Sequence, residues 1–556
     1  MKFKLLTLAF VSLTCLACGQ VSEKELSDKI DKLAKDLAVE GKPGFTVAVA
    51  KADRILFSKG YGSANPEYDI NNSPASIFHV ASVSKQFTAF AIALLADQGK
   101  ISLNDDIRKY LPELKDFGHT ITIRHLVHHT SGLRDQWNLL ALAGWRLDDV
   151  ITKDQVLRLI SRQDELNFKP RDEFSYCNTG YTLMAEIVSR VTGTTFAGWC
   201  KQNIFEPLQM NNTLFYDDHE KVVKNRAYSF HDSPDGIKKS VLSYANAGAT
   251  SLFTTAEDLV KWSNNFYTMK VGNANVMKQM EERGILNEGD TISYAFGQDM
   301  SKYKGVRTIA HSGGDAGYRS YLLRFPEQKY TIVVLGNMAS FNPGGLAYKI
   351  ADVCLAGVLK EEPKKEEAKK TQKEFKVSEA LLKLYEGQYQ LTPDMVVTVK
   401  LDNGTLTARA TGQSSFPLTA SSESEFVFDQ AGIRITFPKP SDNRVSQFVF
   451  YQGGTTLVAP RLKPFDPKTT DLAAYVGTYY SPELETSYRI TIKDDTLTAN
   501  HIRHDPTDLT LTARDEFTTN TWFMGKIEFT RDKDSKISGM KVSSGRVKNV
   551  RFVKQP

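Results

Sequence analysis

The sequence predicts a multidomain protein in which a mixed helix-and-strand unit is followed by two all-β modules. At 556 residues the chain is too long for a single hydrophobic core. Residues 361–376, "EEPKKEEAKKTQKEFK", have almost nothing to bury and mix both signs of charge, so they read as a solvated linker. Beyond it the chain repeats itself. "YEGQYQL" at Tyr385 returns as "YVGTYYS" at Tyr475, 90 residues later, and "GTLTARA" around Leu406 returns as "DTLTANH" around Leu497, 91 residues later. Two matched features at nearly one offset mark two copies of one fold.

Each element follows from its local pattern. In residues 1–20 Lys2 and Lys4 precede an apolar run too short to span a bilayer, which reads as an export signal. Cys18 follows Leu16 and Ala17, much as at a lipoprotein cleavage site, except that Cys15 stands where a leucine is usual. The expected location is therefore outside the cytoplasm, periplasmic or lipid-anchored through Cys18. Residues 21–360 form the first domain. Its lead-in repeats Leu26, Ile30, Leu33 and Leu37 at helical spacing, and "FTVAVAKADRILFSKGYG" reads as two strands about a turn at Ala52 and Asp53. Helical patterns dominate from about 81 to 270. From about 306 three strand-like runs appear, "RTIAHSG", "YRSYLLRF" and "YTIVVLGN", and "GGLAYKIADVCLAGVL" closes the domain as a helix. The modules, residues 377–463 and 464–556, are series of short strands separated by turns such as "DNG" and "KDD", which suggests small antiparallel barrels. Neither carries a nucleophile with a base, so both are expected to act as scaffold or substrate gate.

Composition excludes several partners. Formal net charge is only +5, and no basic stripe interleaved with aromatics would track nucleic acid. Cys177, Cys200 and Cys354 are too scattered for a disulfide framework. His125 and His129 are four apart in "RHLVHHTSGL", but no carboxylate accompanies them in a metal-ligand pattern, so no metal is expected. Without GxxxxGK or GxGxxG, no nucleotide cofactor is expected either.

The candidate chemistry begins in "ASVSKQFTAF". Ser82 and Lys85 are three apart at the head of an apolar helix that Gly99 ends. A serine hydroxyl is a weak nucleophile until a base accepts its proton. A buried, neutral Lys85 could be that base, or a charged Lys85 could lower the pKa of a nearby phenol that is; the sequence leaves both open. In "FSYCNTGY", Tyr176 and Asn178 lie two apart, so an extended segment points both to one side. The tyrosine suits proton transfer and the amide suits holding a substrate carbonyl together with the lysine. In "IAHSGGDAGYRS", strand-like residues run into His311, Gly313 and Gly314, where glycines permit close approach and N–H groups can meet an oxyanion. The alternatives are a capped helix start and a glycine-rich hairpin.

Taken together, these three motifs resemble the serine hydrolases of the penicillin-binding and class C β-lactamase family, with "YCN" and "HSG" like the second and third elements of low-molecular-mass D,D-peptidases, D-aminopeptidases and related esterases. "GKISLNDDIRKYLPEL", "ITIRHLVHHTSGL" and "GATSLFTTAEDLVKW" extend the resemblance over roughly residues 41–358. It implies an α/β sandwich in which the N-terminal strands join the three late strands in one antiparallel sheet covered by helices. It further implies Ser82 as acylated nucleophile, Lys85 as its proton partner and Tyr176 as general acid or base. Asn178, His311, Gly313 and Gly314 would line the substrate, with the N–H groups of Ser82 and Gly314 as oxyanion hole. His311 replaces the lysine usual in β-lactamases, which points away from lactams. Cys177 is read as packing. The expected activity is cofactor-free acyl-enzyme hydrolysis of amide or ester bonds, first of peptides containing D-amino acids and peptidoglycan fragments. Broad esterase or β-lactamase activity, or a non-catalytic cell-envelope binding protein, are the alternatives; oligomeric state is left open.

Overall fold

The computed structural model describes residues 22–360, 375–392, 395–410, 415–428, 431–441, 444–452, 455–462 and 470–556. The export signal, Cys18 and most of the charged linker lie outside the described residues.

The main sheet shows its origin in the period of its strands. In β1 (Phe45–Lys51), Phe45, Val47 and Val49 enter one core while Ala48 and Ala50 enter another. The late strand β6 (Tyr330–Gly336) divides the same way, with Ile332 and Val334 on one side and Val333 and Leu335 on the other. Strands apolar on both faces must be covered on both faces, which is the condition for a layered sandwich. The other strands are β2 (Arg54–Tyr61), β3 (Asp299–Tyr303), β4 (Val306–Asp315) and β5 (Tyr318–Phe325). The order is β3-β4-β5-β6-β1-β2, all antiparallel, and Val47 lies opposite Val334 where the two ends of the domain meet.

Helices used below are α1 (Glu23–Lys35), α2 (Ser84–Asp97), α3 (Gln136–Leu142), α4 (Asn178–Thr192), α5 (Ala256–Thr268) and α6 (Pro343–Cys354). On one face Leu26 and Ile30 of α1 and Leu346 and Ile350 of α6 meet the valines of the sheet. On the other, α5 packs on β1 and β6, and α2 packs on α4. Every residue of α2 from Ser84 to Leu95 is buried, which makes it the central helix of the domain.

Two details depart from expectation. The sheet gains a fourth late strand, β3, whose sequence "DMSKY" is largely exposed and so carries no apolar alternation. The predominantly helical stretch is interrupted by a hairpin at Ser229–Ser240.

The internal repeat is visible in side chains. Tyr389 donates its hydroxyl to the Tyr385 carbonyl at 2.8 Å, and Tyr479 donates to the Tyr475 carbonyl at 2.7 Å. The copies differ in closure. Residues Gly477–Lys554 form a closed eight-stranded barrel, sealed by pairing of Tyr479 with Lys554. The first module forms sheets of four and five strands instead, the division falling between Phe416–Pro417 and Thr419–Ala420. It keeps a core of its own, whereas the core of the barrel runs into that of the first domain.

Candidate active site

The turn before α2 is strained where it must present a side chain. Ala81 adopts φ +47°, a left-handed conformation that costs an alanine about 1–2 kcal/mol. Its N–H bonds His79 Nδ1 at 3.3 Å, and Ser82 follows in a 3₁₀ turn, Ala81–Val83, that leads into the helix. Gly313 explains how β4 comes so close to this turn. A Cβ there would sit 2.3 Å from the Val80 carbonyl oxygen and 2.3 Å from Ser320 Oγ, so only glycine fits.

Lys85 is fully buried one turn after Ser82. Its Nζ lies 3.0 Å from Ser82 Oγ, 2.8 Å from Asn178 Oδ1 and 2.7 Å from the Ala249 carbonyl oxygen. Burial pulls its pKa from 10.5 down to about 7; the Arg546 charge acts in the same direction, and the carboxylates of Asp135 and Asp315 oppose it. A neutral amine has two hydrogens and one lone pair. The two carbonyl oxygens can only accept, so they take both hydrogens, and the lone pair is left to the one partner able to donate, the Ser82 hydroxyl.

Asn178 is oriented for this by a residue the motifs did not reveal. Asp135 Oδ2 accepts the Asn178 backbone N–H at 2.7 Å and Nδ2 at 2.8 Å, turning the amide oxygen toward Lys85. The helix start therefore lies at Asn178, with Cys177 extended before it and the cap supplied by a distant carboxylate. Asp135 also caps α3 through Trp137 N–H, and that is the only role its place before an apolar run would announce.

Tyr176 lies over the same lysine, its ring centroid 4.9 Å from Nζ. Burial raises the phenol pKa well above its ordinary value, and the Ser82 hydroxyl and the Arg546 charge offset this only in part. Its ring packs against His129 with centroids 4.3 Å apart at a 37° tilt, and His129 Nδ1 accepts the Cys177 N–H at 3.1 Å. The histidine cluster serves as support here, with His125 completing a capping box for the short helix Ile123–Val127. Cys177 is a buried thiol pushed up to about 12, consistent with packing.

His311 stands on the third side as a neutral ring. Nδ1 lies 2.6 Å from the Ser312 carbonyl oxygen and so carries the hydrogen, leaving Nε2 to accept the Tyr294 hydroxyl at 2.9 Å. Burial and the neighbouring Lys85 charge lower its pKa to about 4, so the ring carries no positive charge at neutral pH.

A cavity of about 620 Å³ gathers Ser82, Tyr176, Asn178, His311 and Gly314. It does not gather Gly313, expected at the substrate wall, which is turned into the packing against Val80. Gly314 has room for a Cβ, the nearest atom being Arg319 Nη1 at 3.6 Å, and faces the cavity. β4 runs five residues past the end of its pairing with β3, so beside the cavity its outer edge from His311 to Asp315 is free of that neighbour. Trp522 and Arg546, from the barrel, complete the lining, and no local sequence signal marks either. A larger groove of about 790 Å³, between Leu37, Phe45 and Phe341, contains no nucleophile paired with a base.

The Beta-lactamase family model matches residues 30–354. Penicillin-binding protein 4* of Bacillus subtilis (strain 168) is 28% identical over 439 residues, which cover 75% of this chain and 95% of that protein. The octameric penicillin-binding protein homologue from Pyrococcus abyssi superposes with a TM-score of 0.54 at 24% identity, over 78% of this chain and 99% of its own. D-amino acid amidase from Ochrobactrum anthropi SV3, solved with L-phenylalanine amide, superposes with a TM-score of 0.51 at 21% identity, over 60% and 98%. At these identities the two structures are likenesses of fold.

Proposed function

Because the chain belongs to the Beta-lactamase family of serine hydrolases, we propose that it opens amide or ester bonds through an acyl-enzyme on Ser82, with peptides containing D-amino acids as its substrates. The observation that carries this is the set of partners around Lys85 Nζ, which leaves its lone pair to the Ser82 hydroxyl. As Ser82 Oγ attacks the carbonyl carbon, its proton passes to Lys85, and the carbonyl π electrons move to oxygen. That oxygen faces the N–H groups at Ser82 and Gly314. Collapse of the intermediate breaks the bond to the leaving nitrogen, which takes the Tyr176 proton while Lys85 returns one to the phenol. Water then enters in place of the amine and the same transfers run in reverse, freeing the acid and Ser82.

The raised phenol pKa supports Lys85, not Tyr176, as the base of the first step, with Tyr176 the acid that meets the leaving group. The D-amino acid preference is supported by the Tyr-x-Asn and His-x-Gly motifs and by relatives that include a penicillin-binding protein. Export, periplasmic or lipid-anchored, is supported by Lys2, Lys4 and the apolar run up to Cys18. The test is covalent labelling with a fluorophosphonate and a labelled penicillin, with the adduct mapped by mass spectrometry. Label on Ser82, lost together with turnover in Ser82→Ala, is the expected result; an unlabelled Ser82 in an otherwise folded protein favours the binding-protein alternative.

A further inference from the structure

Resting on that hydrolase reading, we infer that the C-terminal barrel builds the recognition wall of the active site, with Arg546 binding a free carboxylate on the residue that departs. Arg546 sits at the tip of the hairpin joining strands Ile537–Ser544 and Val547–Lys554. Its guanidinium carbon lies 4.9 Å from the Tyr176 ring centroid, inside the cavity that holds Ser82.

The hairpin is held by its backbone. The Arg546 carbonyl accepts the Asp135 N–H at 3.2 Å and Asn167 Nδ2 at 2.9 Å, so docking does not depend on the side chain. Neighbouring cations of the hairpin are used for docking: Lys548 pairs with Glu173 at 3.1 Å and Arg551 with Glu165 at 3.0 Å. Among the described residues no ion pair joins the Arg546 guanidinium to a carboxylate. The planar fork of an arginine matches a carboxylate with two parallel hydrogen bonds, and the charge left over here is available for one.

Position decides which carboxylate. Tyr176 is the group that protonates the leaving nitrogen, and Arg546 rests on that ring, so an anion within its reach belongs to the leaving residue. Trp522, 51% exposed and from the same barrel, adds an apolar surface for a neighbouring side chain. The cavity also contains the carboxylate of Asp315, which would favour a free ammonium group instead. Asp315 already accepts the Thr250 hydroxyl at 2.8 Å, and burial disfavours its charged form and raises its pKa. The substrate class is therefore a peptide with an unblocked C-terminus next to the scissile bond, cleaved in the manner of a carboxypeptidase.

The test compares an acylated D-alanyl-D-alanine with its C-terminal amide on the full chain, as wild type, Arg546→Ala, Arg546→Lys and Arg546→Glu. Wild type is expected to prefer the free acid in kcat/KM. That preference should fall about tenfold or more in Arg546→Ala, mainly through KM, persist in part in Arg546→Lys and turn toward the amide in Arg546→Glu. Thermal unfolding of each variant and fluorophosphonate labelling of Ser82 accompany the kinetics. Labelled Ser82 with one acid-to-amide ratio in all four proteins overturns the recognition by Arg546 and leaves the hydrolase standing. A preference for peptides with a free N-terminal ammonium that Arg546→Ala does not alter overturns it equally. No label on wild-type Ser82 brings down the hydrolase reading, and this inference with it.

Discussion

A primary amine held between two carbonyl oxygens and a hydroxyl has one satisfied arrangement of its hydrogens when neutral, and in Lys85 that arrangement aims the lone pair at Ser82. Lowering its pKa from 10.5 to about 7 corresponds to roughly 5 kcal/mol against the charged form. The sign fixes the pH profile. Below the lowered pKa the amine is protonated and cannot accept; above it the lone pair is free. We expect kcat/KM to rise with pH through about 7, measured with a substrate that does not itself titrate in that range. A flat profile from pH 5 to 9 would count against Lys85 as base. His311, already neutral above about 4, adds no limb of its own in that range. Asp135 is a positioning residue: it turns the Asn178 amide oxygen toward the lysine, while its charge opposes the lowering of the lysine pKa.

At the scale of elements, β4 approaches the Ala81–Val83 turn only because residue 313 lacks a side chain. Gly313→Ala should lose about 1–3 kcal/mol of stability in denaturant titration and lower kcat as the turn presenting Ser82 shifts. Gly314→Ala, whose Cβ would make only ordinary contacts with the Arg319 side chain, should unfold at nearly the wild-type midpoint, which separates the packing glycine from the one that faces substrate. The sequence shows two neighbouring glycines and cannot tell them apart, because the difference lies in which one meets Val80. The same reasoning sorts the rest of the site. Ser82 and Lys85 are legible because they are three apart on one helix start, and Tyr176 with Asn178 because they are two apart in extended chain. Asp135 and Arg546 reach the site across tertiary contacts, and nothing in their neighbours announces it. In the fold, β1 and β6 are readable as nearly continuous apolar, β-branched runs that need cover on both faces, whereas exposed β3 has no apolar pattern to read.

At the scale of the whole molecule, the barrel is joined to the catalytic domain by a buried ion pair. Arg134 is 0% exposed and Glu483 2%, with Nη1 2.7 Å from both carboxylate oxygens, while Arg134 Nε and Nη2 donate to the carbonyls of Lys548 and Asn549. Gly144 completes the seat, since a Cβ there would meet the His501 ring at 2.1 Å. Removing Glu483 leaves the buried Arg134 with only the longer 3.3 Å ion pair to the part-exposed Glu165. Glu483→Ala should therefore cost about 3–5 kcal/mol of unfolding free energy and make the barrel more open to protease; a change under about 1 kcal/mol would mean that the pair does not hold the domains together.

Arg134 stands directly before Asp135, so the carboxylate that orients Asn178 sits in a segment clasped by strands near the end of the chain. A ribosome must release nearly the whole polypeptide before Glu483 and Lys548 can reach that segment. Turnover should thus appear only after the final hairpin has emerged, and a nascent chain halted at the linker should carry Ser82 and Lys85 without the frame that makes them act.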